Sequence, residues 1–174
     1  EKEFIAEYEI CDSLEEALRY ADVISVATAG KVKVHITPEM LKPGALLTIT
    51  GTAELPYEMY LKNRVVVDNW QMHLDYLEEG KMHEKGLESI KDWASSYDML
   101  MLYDKGILKE DNIVSLGDVV AGTAAPRKSD DDKLLLVVGG LAIEDVAWGY
   151  DLYNKALEKG LGQKLKIWDK PHWH

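Results

Sequence analysis

A pair of glycines near the C-terminus follows the most apolar segment of the chain. Residues 134–138 are an unbroken aliphatic run, and Gly139-Gly140 comes directly after it. Such a run predicts a parallel strand that is buried on both faces, and glycines let a ligand approach the backbone closely. Helical sequence begins at Leu141, and the free N–H groups of a helix start favour polar or negative ligand groups. The segment therefore predicts either a ligand-binding turn or a plain strand-to-helix connection.

The other reactive side chains give weaker signals. His73 and His83 occur in or between predicted helices, without the spacing that metal ligands require. Arg127-Lys128 would meet a phosphate or lie solvated in a loop. Cys11 is the one cysteine, so an internal disulfide is excluded, and it is predicted to be an inert apolar residue on a buried strand. No metal site is predicted.

The first seventy or so residues alternate between helix and strand patterns, which predicts a parallel α/β sheet. Ser13 and Glu16 have the spacing of a capping box at a helix start. Strands are predicted at residues 8–11, 23–28, 45–50 and 65–67. Longer helices are predicted at 70–79, at 87–103 and from Leu141 onward. The last of these would bury the apolar side chains of Ile143, Val146, Ala147, Tyr150 and Leu157.

Composition and charge narrow the range of partners. The chain has 174 residues and a formal net charge of −11, which disfavours binding to nucleic acid or to an anionic membrane. Its longest apolar run, at 134–143, is too short to span a bilayer. The opening residues resemble neither a signal peptide nor a natural start, so we expect a cytoplasmic protein and a fragment of a longer one.

Several short motifs occur in a fixed order along nearly the whole chain. They are DSLEEA at 12–17, ADV at 21–23, ATA at 27–29, LKPGA at 41–45, VVVD at 65–68, LGDVVAG at 116–122, SDD at 129–131, GGLAIED at 139–145 and EKGLG at 158–162. Each is weak by itself. Their order and spacing together resemble the ornithine cyclodeaminase/mu-crystallin family of NAD(P)-dependent proteins.

The resemblance implies a particular fold and domain organisation. The fold would be α/β, a partial Rossmann-type parallel sheet with helices on both faces. Residues 1–160 would form an incomplete NAD(P)-binding domain, lacking the first βαβ unit and the N-terminal substrate and dimerisation domain. Residues 161–174 would form a tail that returns to that absent domain. The sequence contains no G-x-G-x-x-G motif, so the chain alone is expected to bind dinucleotide poorly or not at all and to be inactive by itself.

The resemblance also implies which residues contact the cofactor. The ribose would lie beside Ala27, Thr28 and Ala29. The nicotinamide would lie near Gly51 and Thr52, and Gly139 and Gly140 would face both nicotinamide and substrate. All three loops follow predicted parallel strands, whose carboxyl ends form the binding crevice of such sheets. The alternative is that these are simply small turn residues.

The family's catalytic aspartate falls at Ala53 in this sequence, and Glu54 comes next. If Glu54 takes over the role, it would act as a general base or orient water at an imine carbon. The alternative is a solvated loop carboxylate. The departure at Ala53 disfavours strict ornithine cyclodeamination.

The resemblance implies an NAD- or NADP-dependent protein that acts on an amino acid or its imine. The activity would be that of an amino-acid dehydrogenase, a ketimine reductase or a cyclodeaminase. Because a truncated sheet would expose a strand edge that tends to pair, a homodimer or a complex with a companion chain is expected, although family dimers use the absent domain. The alternative hypothesis is a non-enzymatic, crystallin-like binding or assembly module, or an inactive fragment. The substrate, and the choice between NAD and NADP, are left open.

Overall fold

The computed structural model describes residues 7–28, 33–166 and 168–170. The chain forms two compact units, Glu1–Gly140 and Leu141–His174. The division into a 1–160 domain and a 161–174 tail stays a prediction.

A five-stranded parallel sheet forms the centre of the first unit. Its strands lie in the order β1, β3, β7, β5, β6. Their bounds are Val23–Val26 (β1), Leu46–Ile49 (β3), Val65–Val67 (β5), Ile113–Ser115 (β6) and Leu134–Val137 (β7). All three valines of β5 are buried, as expected for a central strand covered on both faces. The predicted α/β class with a parallel sheet and flanking helices is confirmed.

Two further strands form a small separate sheet. Val34–His35 (β2) pairs in parallel with Ala53–Glu54 (β4), and the N–H of Ile36 donates to the carbonyl of Glu54. The pairing places Glu54 on a strand rather than in a loop.

Helices flank the sheet within the first unit, and a 17-residue helix lies in the second unit. The α-helices are Leu14–Leu18 (α1), Glu58–Lys62 (α2), Trp70–Met82 (α3), Tyr97–Asp104 (α4), Leu116–Val120 (α5) and Ala142–Glu158 (α6). The 3-10 helices are Pro38–Met40, Gly86–Ile90 and Glu110–Asn112. At α1, the Ser13 hydroxyl accepts from the N–H of Glu16, and the Glu16 carboxylate reaches back to the N–H of Asp12. The predicted capping at Ser13 is therefore present, with its return bond one residue early.

Two predicted elements are wrong. Residues 8–11 form no strand, and Tyr8 and Ile10 are more than four-fifths exposed, so Cys11 is only half-buried and lies outside the sheet. The predicted helix 87–103 is divided into Gly86–Ile90 and α4.

Helix α6 differs from its prediction in burial rather than in extent. Its apolar residues lie at helical spacing, yet Ile143, Val146, Tyr150 and Leu157 are between 58% and 72% exposed, and Ala147 is also exposed. The apolar stripe of α6 therefore lies open along the helix. In the part of the chain that is described, no helix is long and apolar enough to cross a membrane.

Candidate functional site at the carboxyl edge of the sheet

The five parallel strands end together. Val26, Ile49, Val137, Val67 and Ser115 are successive register partners across the sheet. The residues that follow each strand therefore emerge along one edge. In open parallel sheets this carboxyl edge is where ligands bind.

The loops after β1 and β3 are joined closely. The Thr28 hydroxyl donates to the carbonyl of Thr52 at 2.7 Å, and the N–H of Thr52 donates to the carbonyl of Thr28 at 3.2 Å. A Cβ on Gly51 would fall against the backbone of Thr28. Glycine is therefore required at position 51 by the approach of the two loops. The structure brings the predicted residues Ala27, Thr28, Gly51 and Thr52 together, while Ala29 lies outside the described residues.

The hydroxyl of Thr52 has no hydrogen-bond partner in the described part of the chain, although its oxygen is buried. A buried hydroxyl without a partner is destabilising, because it has lost its bonds to water. Such a group on a predicted binding loop is suited to bond a ligand.

The glycine turn after β7 is held from the neighbouring strand. Asp68 follows β5 directly, and its Oδ2 accepts from the N–H of Gly139 at 2.9 Å and from that of Gly140 at 2.8 Å. On the other side, the Ser95 hydroxyl donates to the carbonyl of Val138 at 2.8 Å. The turn is therefore fixed by side chains at both its N–H and its C=O groups.

Glycine is favoured at both positions of this turn, for different reasons. A Cβ on Gly139 would meet the Cε1 of His73 at 3.2 Å and would overlap the Met72 side chain. Gly140 has φ of +91°, a conformation that side chains disfavour, and the position of its Cβ is open. Both glycines are exposed, so the turn presents bare backbone at the edge of the sheet, with its N–H groups already used.

Asp68 is a fully bonded buried carboxylate. Besides the two glycine amides, its Oδ1 accepts from the N–H of Asn69 and from the Nε2 of His73, and its side chain is 1% exposed. Burial is the largest influence on the pKa of Asp68 and acts to raise it. The bonds from His73, Gly140 and Asn69 together outweigh burial and hold this pKa below its ordinary value.

Helix α3 brings His73 to this carboxylate. The Asn69 side chain caps the helix by accepting from the N–H of Met72, and one turn later His73 lies on the same buried stripe as Leu77 and Gly80. Its Nδ1 lies 2.9 Å from the Ser96 hydroxyl. Both contacts fit a neutral ring protonated at Nε2, with Ser96 donating to Nδ1, and equally a ring protonated at both nitrogens that donates to Ser96 and to Asp68.

Ser96, His73 and Asp68 have the composition of a hydrolytic triad, but the setting excludes that chemistry. His73 is 0% and Ser96 1% exposed, so no substrate carbonyl reaches the hydroxyl. The three side chains act instead as a buried polar network beneath the glycine turn. The sequence signal was a histidine on an apolar stripe just after a strand-terminal aspartate; the contact with Ser96 depends on tertiary structure and left no local pattern.

Glu54 lies exposed on β4, and a second carboxylate is close enough to interact with it. Burial raises the pKa of Asp98 above its ordinary value; Lys33 and Lys91 oppose this shift, and the charge of Glu54 adds to it. Sequence reasoning missed Asp98, which lies in the first turn of α4. Asp98 is therefore a second carboxylate close to Glu54.

Asp98→Asn is expected to stabilise the protein at neutral pH by a few degrees in Tm. A raised folded-state pKa means that ionisation of Asp98 destabilises the fold. This loss develops as pH rises through the interval between the unfolded and folded pKa values, and it is complete above that interval. Thermal unfolding at about pH 7 and pH 3 would show the gain only at the higher pH. Asp92→Asn, at an exposed position, is the matched control; an equal gain from both variants would contradict the explanation.

The Arg127 side chain and the backbone of Lys128 make structural contacts before β7. Arg127 donates to the carbonyls of Gly44 and Asp132, and the Asp132 carboxylate accepts from the N–H groups of Lys128 and Ser129. These contacts join the start of β7 to the start of β3, at the opposite end from the glycine turn. Among the described residues, no group of three or more His, Cys, Asp or Glu is placed to hold a metal ion.

A parallel α/β sheet with small-residue turns along its carboxyl edge defines a Rossmann-like nucleotide-binding class of fold. Within this class, the chain belongs to the ornithine cyclodeaminase/mu-crystallin family, whose model matches residues 2–160. The predicted resemblance is confirmed.

Similar proteins include several amino-acid and imine oxidoreductases. A Delta(1)-pyrroline-2-carboxylate reductase from Bacillus cereus is 29% identical, covering 87% of this chain and 42% of the relative. An alanine dehydrogenase from Archaeoglobus fulgidus is 29% identical, covering 88% and 42%. The chain therefore spans less than half the length of the curated relatives it matches.

Two solved structures resemble the fold and have their ligands in place. Thermococcus litoralis Delta(1)-pyrroline-2-carboxylate reductase, in complex with NADH and L-proline, has a TM-score of 0.60 and 26% identity, over 89% of this chain and 44% of that one. An archaeal alanine dehydrogenase dimer with bound NAD has a TM-score of 0.56 and 28% identity, over 88% and 43%.

Proposed function

We propose that this chain provides part of the nicotinamide dinucleotide site of an NAD(P)-dependent oxidoreductase that acts on an amino acid or its imine. The observation that carries the proposal is that the last residues of β1, β3 and β7 are register partners, so that the turns after these three strands lie side by side. In the proposed complex Ala27, Thr28 and Ala29 lie beside the ribose. The turns at Gly51-Thr52 and Gly139-Gly140 border the nicotinamide.

The residues present fit such a cofactor. The buried hydroxyl of Thr52 lacks a partner and would bond a polar group of the nicotinamide. The exposed backbone of Gly140 leaves room for a flat ring, since nothing lies within 4 Å of its Cβ position. The cofactor would supply hydride transfer, and the chain would hold the reacting ring and shape its surroundings.

Thr52→Val is expected to separate stability from binding. Replacing a buried hydroxyl that lacks a partner by a methyl group of similar size should raise the free energy of unfolding by about 1 kcal/mol. Loss of the same hydroxyl should weaken NADH binding by roughly threefold to tenfold, the equivalent of one hydrogen bond. Urea unfolding and NMR titration of the chain with NADH measure the two effects.

Thr50→Val is the matched control for this test. The Thr50 hydroxyl is already bonded to the carbonyl of Val26 at 3.1 Å, so its loss should lower stability by up to about 1 kcal/mol. NADH binding should remain unchanged. If Thr52→Val destabilised the protein, or left NADH binding intact, Thr52 would not be a cofactor contact.

Glu54 is proposed as the general base, or as the group that orients water at the imine carbon. Its exposure leaves it accessible, and its charge acts on Asp98, so the two carboxylates would share this task. In a protein extended upstream of Glu1, Glu54→Gln should reduce kcat by roughly a hundredfold or more with little change in cofactor affinity. Unchanged turnover would assign Glu54 to the solvated surface.

Association with a second copy of the chain, or with a companion chain, is part of the proposal. The archaeal alanine dehydrogenase relative is a dimer, and the open apolar stripe of α6 supports a partner that covers it. Sedimentation of the chain at twice its mass of 19.6 kDa would support the homodimer. The second candidate function, a non-enzymatic assembly module, would also use this stripe, but it predicts no nicotinamide binding at the sheet edge.

A further inference from the structure

We infer that the Gly139-Gly140 turn borders a binding site for a positively charged group, and that the buried carboxylate of Asp68 makes this site selective for cations. The inference rests on the proposed function, because it concerns the ligand of the same edge. It adds the charge of the group that lies on the turn.

The turn is closed to anions by its hydrogen bonding. Glycine turns often bind phosphate or carboxylate through their free N–H groups. Here both amides donate to the Oδ2 of Asp68, at 2.9 and 2.8 Å. An oxyanion on this turn would find no free donor and would face a carboxylate behind it.

In the proposed network the His73 ring is neutral, so Asp68 has no cationic partner. Its partners are the backbone N–H groups of Asn69, Gly139 and Gly140 and one ring nitrogen of His73. A neutral His73 ring, accepting from Ser96 at Nδ1 and donating at Nε2, satisfies every contact. With the Asp68 side chain 1% exposed, a full negative charge lies behind the turn, where water screens it poorly.

The turn is thin enough for this charge to act through it. Gly139 and Gly140 carry no side chains and are exposed, so a ring resting on them would lie about 6–7 Å from the Asp68 carboxylate. A planar cation, such as a pyridinium ring or an iminium group, is the class of ligand that benefits. An oxidised nicotinamide and a protonated imine both belong to this class.

The test compares two small probes of the same shape on the ¹⁵N-labelled chain. 1-Methylnicotinamide is a cation; 3-methylbenzamide carries the same methyl and carboxamide groups on an uncharged ring. Amide shifts of Gly139 and Gly140 report binding at the turn. The cation is expected to bind at least about threefold more tightly at low salt, and Asp68→Asn should bring the ratio close to one.

Asp132→Asn controls for the overall charge. The chain carries a net charge of −11, which attracts any cation weakly. Asp132 is also a carboxylate that accepts two backbone N–H groups, from Lys128 and Ser129, but it does so at the other end of β7. Its replacement removes the same charge and should leave the probe ratio unchanged.

A measurement on the unaltered chain keeps the test valid even if Asp68→Asn does not fold. The ¹⁵N shifts of the His73 ring should show one proton, on Nε2, at about pH 7.5; a ring protonated at both nitrogens would cancel the charge and overturn the inference. Equal affinity for the two probes would also overturn it, while leaving the proposed nicotinamide site intact. Failure of both probes to shift the turn would overturn the inference and the proposed site together.

Discussion

Gly51→Ala is expected to lower the free energy of unfolding by about 2–3 kcal/mol. The added Cβ would lie 2.7 Å from the backbone nitrogen of Thr28 and would overlap its carbonyl oxygen. Backbone atoms cannot rotate away as a flexible side chain can, so the loops after β1 and β3 would have to separate. That separation would break the reciprocal bonds between Thr28 and Thr52.

Urea unfolding at 25 °C measures this effect, and Gly117→Ala is the matched control. Gly117 lies in α5, and a Cβ there would meet only the Ser115 hydroxyl at an ordinary 3.7 Å. Alanine should be neutral or stabilising at that position because it favours helix. A Gly51→Ala protein within about 0.5 kcal/mol of the wild type, the range of ordinary surface changes, would show that the two loops do not meet as described.

Asp68→Asn is expected to destabilise the protein by about 2–3 kcal/mol at pH 7. The amide group can accept from the two glycine N–H groups only if its own NH₂ faces His73 and the N–H of Asn69. His73 can adapt by moving its proton to Nδ1, but the backbone N–H of Asn69 cannot. The new side-chain NH₂ group and the backbone N–H of Asn69 would therefore face each other as two donors without an acceptor in a buried network.

The loss should depend on pH in a defined direction. The folded-state pKa of Asp68 lies below its ordinary value, so the ionised carboxylate stabilises the fold above the unfolded pKa of about 3.9. That contribution disappears as pH falls through the folded value. Unfolding of wild type and Asp68→Asn at a series of pH values should therefore give curves that converge in acid. A difference between the two proteins that stays constant down to about pH 2 would contradict the assignment.

The strands of the central sheet were predictable because their signal is local. Residues 23–26, 46–49, 65–67 and 134–137 are short apolar runs between turn residues, and each forms a strand within its predicted range. The sequence does not contain the order of the strands. Strand β7 lies between β3 and β5, so residues 134–137 pair with strands that are about seventy or more positions earlier in the chain. Tertiary packing alone determines this strand order.

The errors have physical causes in particular residues. The apolar pattern of 87–103 predicts one helix, but Ser95 bonds the carbonyl of Val138 and Ser96 bonds His73. These tertiary contacts accompany the break between Gly86–Ile90 and α4. At 8–11 the alternation of Tyr8 and Ile10 has no neighbouring strand to pair with in the described structure, so propensity alone did not make a strand.

The loops of the candidate site could be predicted from the sequence, but the hydrogen-bond network behind the Gly139-Gly140 turn could not. Glycines after apolar strands identify the turns at Gly51 and Gly139-Gly140, and the family resemblance assigned them to the nicotinamide. The network behind the Gly139-Gly140 turn joins Asp68 to His73 and His73 to Ser96, which are 5 and 23 residues apart in the sequence. No local pattern couples these three side chains, because their coupling follows from the crossing of α3 over the end of the sheet.

The proposed nicotinamide site at the carboxyl edge of this sheet can be tested by NMR mapping of NADH on the ¹⁵N-labelled chain, titrated to about 10 mM. The sequence has no G-x-G-x-x-G motif, so binding should be weak, and about 1 mM NADH should leave Tm unchanged. At high NADH, the largest shifts are expected at the backbone amides of Thr28, Gly51, Thr52 and Gly140. Shifts confined to other surfaces, or no shifts at this edge in a protein extended upstream of Glu1, would contradict the proposed site.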